Sequence, residues 1–448
     1  MTLQNCKAGA RGIFRFRLGP RQAVAHIGKI SIRGTDRLTT TSATISAAAE
    51  RRHESWLIAL VSAAHFISHY YIILLAPLFV LIRADYGVSY TELGFAFVAF
   101  NIVTALLQTP AGFVVDRMGA KPLLVGGVAL GAAAIAVAGL VDSFWVFVAM
   151  FGVAGLANTV YHPADYTLLS QGVSPERMSH AFSIHTFAGM LGGAAAPAIL
   201  LLIHNFAGWR GAFLGAALLG FVIAAVLAFS RDLDVRRRQA PKPSDAATDA
   251  GDTGWRLLLS LPILQSLLYF VMLAIANAGL QNYSVVALGT LFGTPLAVAN
   301  TALSAYLLLS AVGVLSGGLV SSRTSRHALV AAVGLVAAAI VTFVIGFVDL
   351  GAVFLIVMMA LAGFLTGVIM PSRDMIVREN TPAGSFGKVF GFVTTGFNIG
   401  GIVSPLVFGW LMDNNHPGGV FYFVAAVSLA SVVTVLAIPK LRASPPQP

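Results

Sequence analysis

The sequence predicts an all-α membrane protein: twelve transmembrane helices in two six-helix halves that repeat in parallel orientation. Three observations predict it. The 448 residues are 57% hydrophobic and only 10% charged, with a mean hydropathy of +0.83, whereas soluble domains carry about 25% charged residues. Apolar runs near the ~20 residues that a helix needs to cross a bilayer recur along most of the chain. Two stretches resemble each other at an offset of 208 residues. The 45 glycines suit helices that pack closely in lipid. One cysteine, Cys6, excludes a disulfide framework and a thiolate metal cluster.

Residues 1–54 hold ten of the 28 Lys and Arg, among them Arg11, Arg15, Arg17, Arg21, Lys29, Arg33 and Arg37, followed by TTTSATISAAAE. An Arg- and Ser/Thr-rich, acid-poor stretch resembles a transit peptide, but no compact apolar segment precedes a cleavage site. The expectation is a disordered basic tail. Apolar periodicity then draws helices over 55–82, 91–115, 122–141, 144–170, 178–203 and 211–230, the first half (55–230). RDLDVRRRQAPKPSDAATDAGDTGWR follows, charged, Pro- and Ala-rich and without apolar periodicity, so 231–257 reads as a flexible linker. The second half, 258–438, holds helices over 258–291, 298–320, 327–348, 351–377, 387–412 and 417–438, and 439–448 is a short tail.

Positive charge sets the orientation. With the N-terminus inside, sixteen Lys and Arg after the tail fall on the inner side, from Arg117 and Lys121 to Arg373, Arg378, Lys440 and Arg442. Only Arg83 and Arg210 fall outside. Both termini are expected in the cytoplasm, in a bacterial inner membrane. The formal net charge of +10 is thereby accounted for without a nucleic-acid partner.

The offset of 208 aligns 150–197 with 358–405: Met150, Ala154, Gly155, Pro163, Gly192, Gly193 and Pro197 meet Met358, Ala362, Gly363, Pro371, Gly400, Gly401 and Pro405. Helices four and five thus match ten and eleven. Parallel six-helix repeats are one known transporter architecture, with a cavity between the halves near the bilayer midplane.

GFVVDRMGAKP, residues 112–122, carries G-x-x-x-D-R-x-G-x-K after helix two, and GLVSSRTSRH, residues 318–327, is a degenerate copy after helix eight. Gly112 and Arg117 pair with Gly318 and Arg323. Gly112 is expected to let helix two approach a neighbour closely. The decapeptide resembles the loop-2/3 signature of the major facilitator superfamily, and the resemblance covers 55–438; WRGAF, 209–213, is also common there. It implies a gate of Gly112, Asp116, Arg117, Gly119, Lys121, Asp165 and Arg323. Asp116 would meet the N-terminal end of helix eleven, where the dipole favours an anion, and Arg117 or Lys121 would meet Asp165, holding the outward-facing state. AHFISHYY, TELG, DRMGAKP and YHPADY together look more like the branch of fosmidomycin-resistance-type exporters.

Ionisable groups inside a membrane are functional candidates by default. The first half offers His65, His69, His162 and His185 as proton-coupling candidates; the second half offers no ionisable group at mid-depth away from helix ends. His65 and His69, one turn apart on one face, have three readings. A metal asks for one or two further donors, and no Asp, Glu or Cys lies at mid-depth nearby, so no metal is expected. A packed, hydrogen-bonded pair and a proton-relay or substrate-lining pair stay open. Cavity candidates are Tyr70, Asn101, Asn158, Tyr161, Gln281, Asn282, Tyr283 and Asn398. With no Lys or Arg evident in the cavity, substrates are neutral, zwitterionic or amphiphilic, or anions met by protonated His.

The expected function is secondary transport of small organic molecules by alternating access, proton-coupled, with export favoured by the resemblance. The alternative is a proton-coupled importer of an organic acid or other metabolite. A membrane metalloenzyme is remote, and no enzymatic activity and no cofactor are expected. Expected partners are a small-molecule substrate, protons and the lipid bilayer, with the chain monomeric.

Overall fold

The computed structural model describes residues 35–233, 255–382 and 385–438. The chain divides into two units, Met1–Arg51 and Arg52–Pro448, and the second carries the architecture below. Most of the basic tail expected over 1–54, residues 234–254 of the linker and the tail 439–448 lie outside the described residues.

Eleven helical segments are long and apolar enough to span a bilayer. One of them, Pro175–Phe229, runs 55 residues and breaks at Gly208, whose φ of 70° only glycine adopts readily. It therefore makes two crossings, and the described residues supply twelve: α1 Glu50–Tyr86, α2 Tyr90–Met118, α3 Ala120–Leu140, α4 Phe144–Gly172, α5 and α6 on either side of Gly208, α7 Leu261–Phe292, α8 Leu296–Ser322, α9 His327–Phe347, α10 Gly351–Glu379, α11 Phe386–Asp413 and α12 Pro417–Leu436. No strand occurs among the described residues. With no water in the hydrocarbon core, backbone polar groups must bond within the segment, and helices do so.

Local chemistry sets several ends. Ser89 and Glu92 form a capping box on α2. Gly119, at φ 95°, turns the chain from α2 into α3. In α7 a π-turn at Gly279–Tyr283 adds a residue to the helix and re-aims its polar side chains. Large apolar side chains such as Leu106, Phe113, Phe206, Phe229, Val353 and Phe354 are exposed, as a lipid-facing surface requires.

The internal repeat is physical. A Cβ on Gly155 of α4 would strike the Phe100 carbonyl of α2, and one on Gly363 of α10 would strike the Tyr306 carbonyl of α8. Likewise Gly192 of α5 lies on Phe66 of α1, and Gly400 of α11 on Val271 and Ala274 of α7. The same small residues seat the same pairs of helices in both halves.

The halves meet closely on the side opposite the start of α1. There Gly94 and Gly409 bring α2 against Pro405 and α11 against Thr91, with a Cβ at either glycine under 3.0 Å from its neighbour. Asn300 of α8 donates to the Pro77 carbonyl of α1 at 3.3 Å, and Phe79 packs edge-on to Tyr283 at 5.4 Å. Toward the other end of these helices a Cβ on Gly112, Gly318 or Gly391 would meet nothing within 4 Å. Gly112 therefore makes no close approach in this state; Gly94 does, because the halves are pressed together at its end of α2.

Candidate functional site

A cavity of about 310 Å³ lies between the halves. Asn101 of α2 and Asn158 of α4 line it from the first half; Asn277, Gln281 and Asn282 of α7 and Asn398 of α11 line it from the second. Five of these six carboxamides are sequence candidates. The sixth, Asn277, stands one helical turn before Gln281, and that i, i+4 spacing was the available signal. Asn101 donates to the Phe97 carbonyl at 2.8 Å and reaches the Gly401 carbonyl across the junction at 3.5 Å. Tyr71, Phe97, Phe100, Phe151 and Phe397 supply apolar wall. Such a lining binds a carbon skeleton on its rings and orients polar oxygens through amide donors.

Tyr70, Tyr161 and Tyr283 do not line it. Each is fully buried in packing: Tyr70 between Phe66 and Tyr71, Tyr161 donating to the Gly127 carbonyl at 3.3 Å, and Tyr283 donating to the Pro405 carbonyl at 3.2 Å. Tyr161 and Tyr283 thus reach a carbonyl with the hydroxyl, the Tyr70 hydroxyl is buried without a partner, and all three rings belong to the helix interfaces.

One turn from Ile72 and Asn158, on the same helix faces, stand His69 and His162. His65 lies a further turn along α1. The ring centroids are 4.6 Å apart for His65 and His69, 5.3 Å for His65 and His162, and 3.8 Å, stacked, for His65 and His185. All four histidine candidates therefore form one cluster. The expectation of no metal rested on a missing third donor; His162 brings a third imidazole here, with one nitrogen from each of His65, His69 and His162 within 4.8 Å of one another. A Cβ on Gly189 would strike both α1 imidazoles, so this glycine makes room for them.

Asp165, fully buried, stands beside this cluster, with its Oδ2 3.8 Å from His185 Nε2. Neither carboxylate oxygen and neither His185 nitrogen has a hydrogen-bond partner. The contact of Arg117 or Lys121 with Asp165 is absent: Lys121 Nζ donates to the Ser230 carbonyl at 2.7 Å. Asp116, Arg117, Gly119 and Lys121 line a rim pocket with Thr167 and Gln171. Arg323 closes α8 and is exposed. The implied gate contact is not made in this structure.

The second half does hold a cation inside. Arg373 of α10, counted from sequence among the inner-side charges, lies within the helix with its side chain 11% exposed. Its guanidinium sits 4.7 Å from the Phe270 ring and 5.1 Å from the Phe397 ring, bonded to Asp374 at 2.8 Å. It lines a small cavity, about 30 Å³, with Asn277 and Tyr306. At the repeat offset of 208, Arg373 is the counterpart of Asp165.

Comparison with known proteins places this geometry. The model of the Major Facilitator Superfamily matches residues 61–288 and 270–448. A probable sulfoacetate transporter of Cupriavidus necator is 28% identical over 360 residues, covering 74% of this chain and 81% of that protein. The fosmidomycin resistance protein of Escherichia coli is 22% identical over 388 residues, covering 85% and 92%. Among solved structures, an inward-facing bacterial homologue of the human lysosomal transporter Spinster superposes with a TM-score of 0.70 at 14% identity, covering 86% and 95%.

Proposed function

The chain belongs to the Major Facilitator Superfamily and is a multi-pass membrane transporter of small molecules, and from that premise we propose that it exports a small polar organic molecule in exchange for protons. The carrying observation is the carboxamide cavity at the junction of the halves. Six uncharged amides bind carboxylate, sulfonate or hydroxyl oxygens without the desolvation cost of a fixed charge, and the aromatic wall takes the carbon skeleton. With the termini in the cytoplasm of a bacterial inner membrane, as the Lys and Arg distribution favours, this structure is the inward-open state.

Asp165 is the proton carrier in this reading. A carboxyl buried with no donor on either oxygen offers a proton a place inside the membrane. The titratable groups facing it are His185 from α5 and Tyr161 and Tyr166 of its own helix. The 28% identity to a probable sulfoacetate transporter favours a second reading, import of an organic acid on the same site.

Proteoliposomes decide between them. Flux of a sulfonate or carboxylate probe into inside-out vesicles under an imposed pH gradient supports export; flux only into right-side-out vesicles supports import. Asp165→Asn is expected to uncouple flux from the gradient while counterflow persists. Coupling unchanged in this variant would remove Asp165 from the mechanism.

A further inference from the structure

We propose that His65, His69 and His162 form a binding site for one divalent transition-metal ion of the zinc class, held between α1 and α4 beside the substrate cavity. Ligand nitrogens of the three imidazoles lie within 4.8 Å of one another. Nitrogens bound tetrahedrally at 2.0–2.1 Å to one ion stand about 3.4 Å apart, so the widest pair of rings closes by up to about 1.4 Å on binding.

Two observations besides spacing point to a ligand. His65 Nδ1 lies 2.8 Å from the His185 carbonyl oxygen. A carbonyl only accepts, so Nδ1 carries the proton and Nε2 presents its lone pair. That arrangement, the far nitrogen tied to a carbonyl and the near one bare, is how proteins orient metal-ligating histidines. Second, His65 Nε2 and His162 Nδ1 are buried and have no hydrogen-bond partner, although His65 is only 5% exposed. Buried nitrogens are rarely left so unless something binds there.

The donor set selects the ion. Three imidazoles suit zinc, copper, nickel, cobalt or ferrous iron; calcium and magnesium ask for oxygen ligands. Three protein nitrogens leave a fourth tetrahedral position open. All three ligands belong to one half, so the ion travels with that half when the halves rock and is a resident ion rather than cargo. Ile72 and Asn158, one turn from His69 and His162, line the central cavity. The ion would therefore put positive charge beside an otherwise uncharged carboxamide lining.

The test uses the full chain, purified and stripped with chelator, then titrated with Zn²⁺ and assayed by elemental analysis after dialysis. One equivalent is expected, with affinity falling by at least about 100-fold in His65→Gln, His69→Gln and His162→Gln and unchanged in His180→Gln. Absence of stoichiometric zinc, or undiminished binding in the triple variant, overturns the site. Should a variant fail to fold, X-ray absorption on the unsubstituted protein still decides: three imidazole nitrogens at about 2.0–2.1 Å support the site, and an all-oxygen shell or fewer than three imidazoles overturns it.

Discussion

The carboxylate of Asp413, the last residue of α11, accepts the backbone N–H groups of Tyr90 at 2.7 Å and Thr91 at 2.9 Å, in the first turn of α2. An acid from one half thus caps a helix of the other, where the helix dipole favours negative charge. This contact joins the two halves at the start of α2 and the end of α11.

Removing that cap loosens the junction of the halves at this end. Asp413→Ala is expected to cost the closed arrangement about 1 kcal/mol, a roughly fivefold shift between states. Spin labels at the start of α2 and the end of α11, read by pulsed dipolar spectroscopy, should show the longer distance gaining population. An unchanged distribution would mean that the glycine contacts hold the junction without the cap.

The glycine seats carry the helix packing. Gly155→Val and Gly363→Val each push a branched side chain into a facing carbonyl, at Phe100 and Tyr306 respectively. Each is expected to lower stability by about 1–3 kcal/mol, seen as an earlier melting transition of the purified protein. Gly112→Ala, with open space around it, should leave melting unchanged.

The cavity lining and the packed phenols separate by transport kinetics. Asn282→Leu or Asn398→Leu removes amide donors facing the cavity and is expected to raise KM for the transported probe by up to about tenfold, the worth of one hydrogen bond. Tyr283→Phe loses only its bond to the Pro405 carbonyl and should leave KM where it is. A KM change confined to Tyr283→Phe would relocate the substrate.

Arg210 ties helix ends together, donating to the Val141 carbonyl at 2.9 Å, Asp85 at 2.9 Å and Asp142 at 3.1 Å. The pairs are partly exposed, so Arg210→Gln is expected to cost no more than about 1 kcal/mol. Melting at low and high salt checks this: the deficit should shrink as salt screens the wild-type pairs.

Much of this molecule was legible along the chain. Hydropathy gave the spans because a bilayer leaves helices as the only way to satisfy so many backbone groups in such segments. The offset of 208 picked out Gly155 and Gly363 before their close contacts were seen. The carboxamides were legible too, because polar side chains on apolar helices must face a partner or a cavity. The buried tyrosines were misassigned for the converse reason: a phenol is amphipathic, and sequence does not say whether its hydroxyl ends on a carbonyl or in water.

Composition and periodicity by themselves determined an all-helical membrane protein of two repeated halves, since the solvent dictates that outcome residue by residue. Only the tertiary structure decided which polar groups meet. His65 and His162 are 97 residues apart on different helices, yet their rings stand 5.3 Å apart. Arg373, inside the helix expected over 351–377, carries its charge to two phenylalanine rings rather than to water. Such encounters depend on how far each helix is rotated and displaced against its neighbours. Those rotations are set by small-residue contacts between distant segments, and hydropathy along one helix carries no record of them.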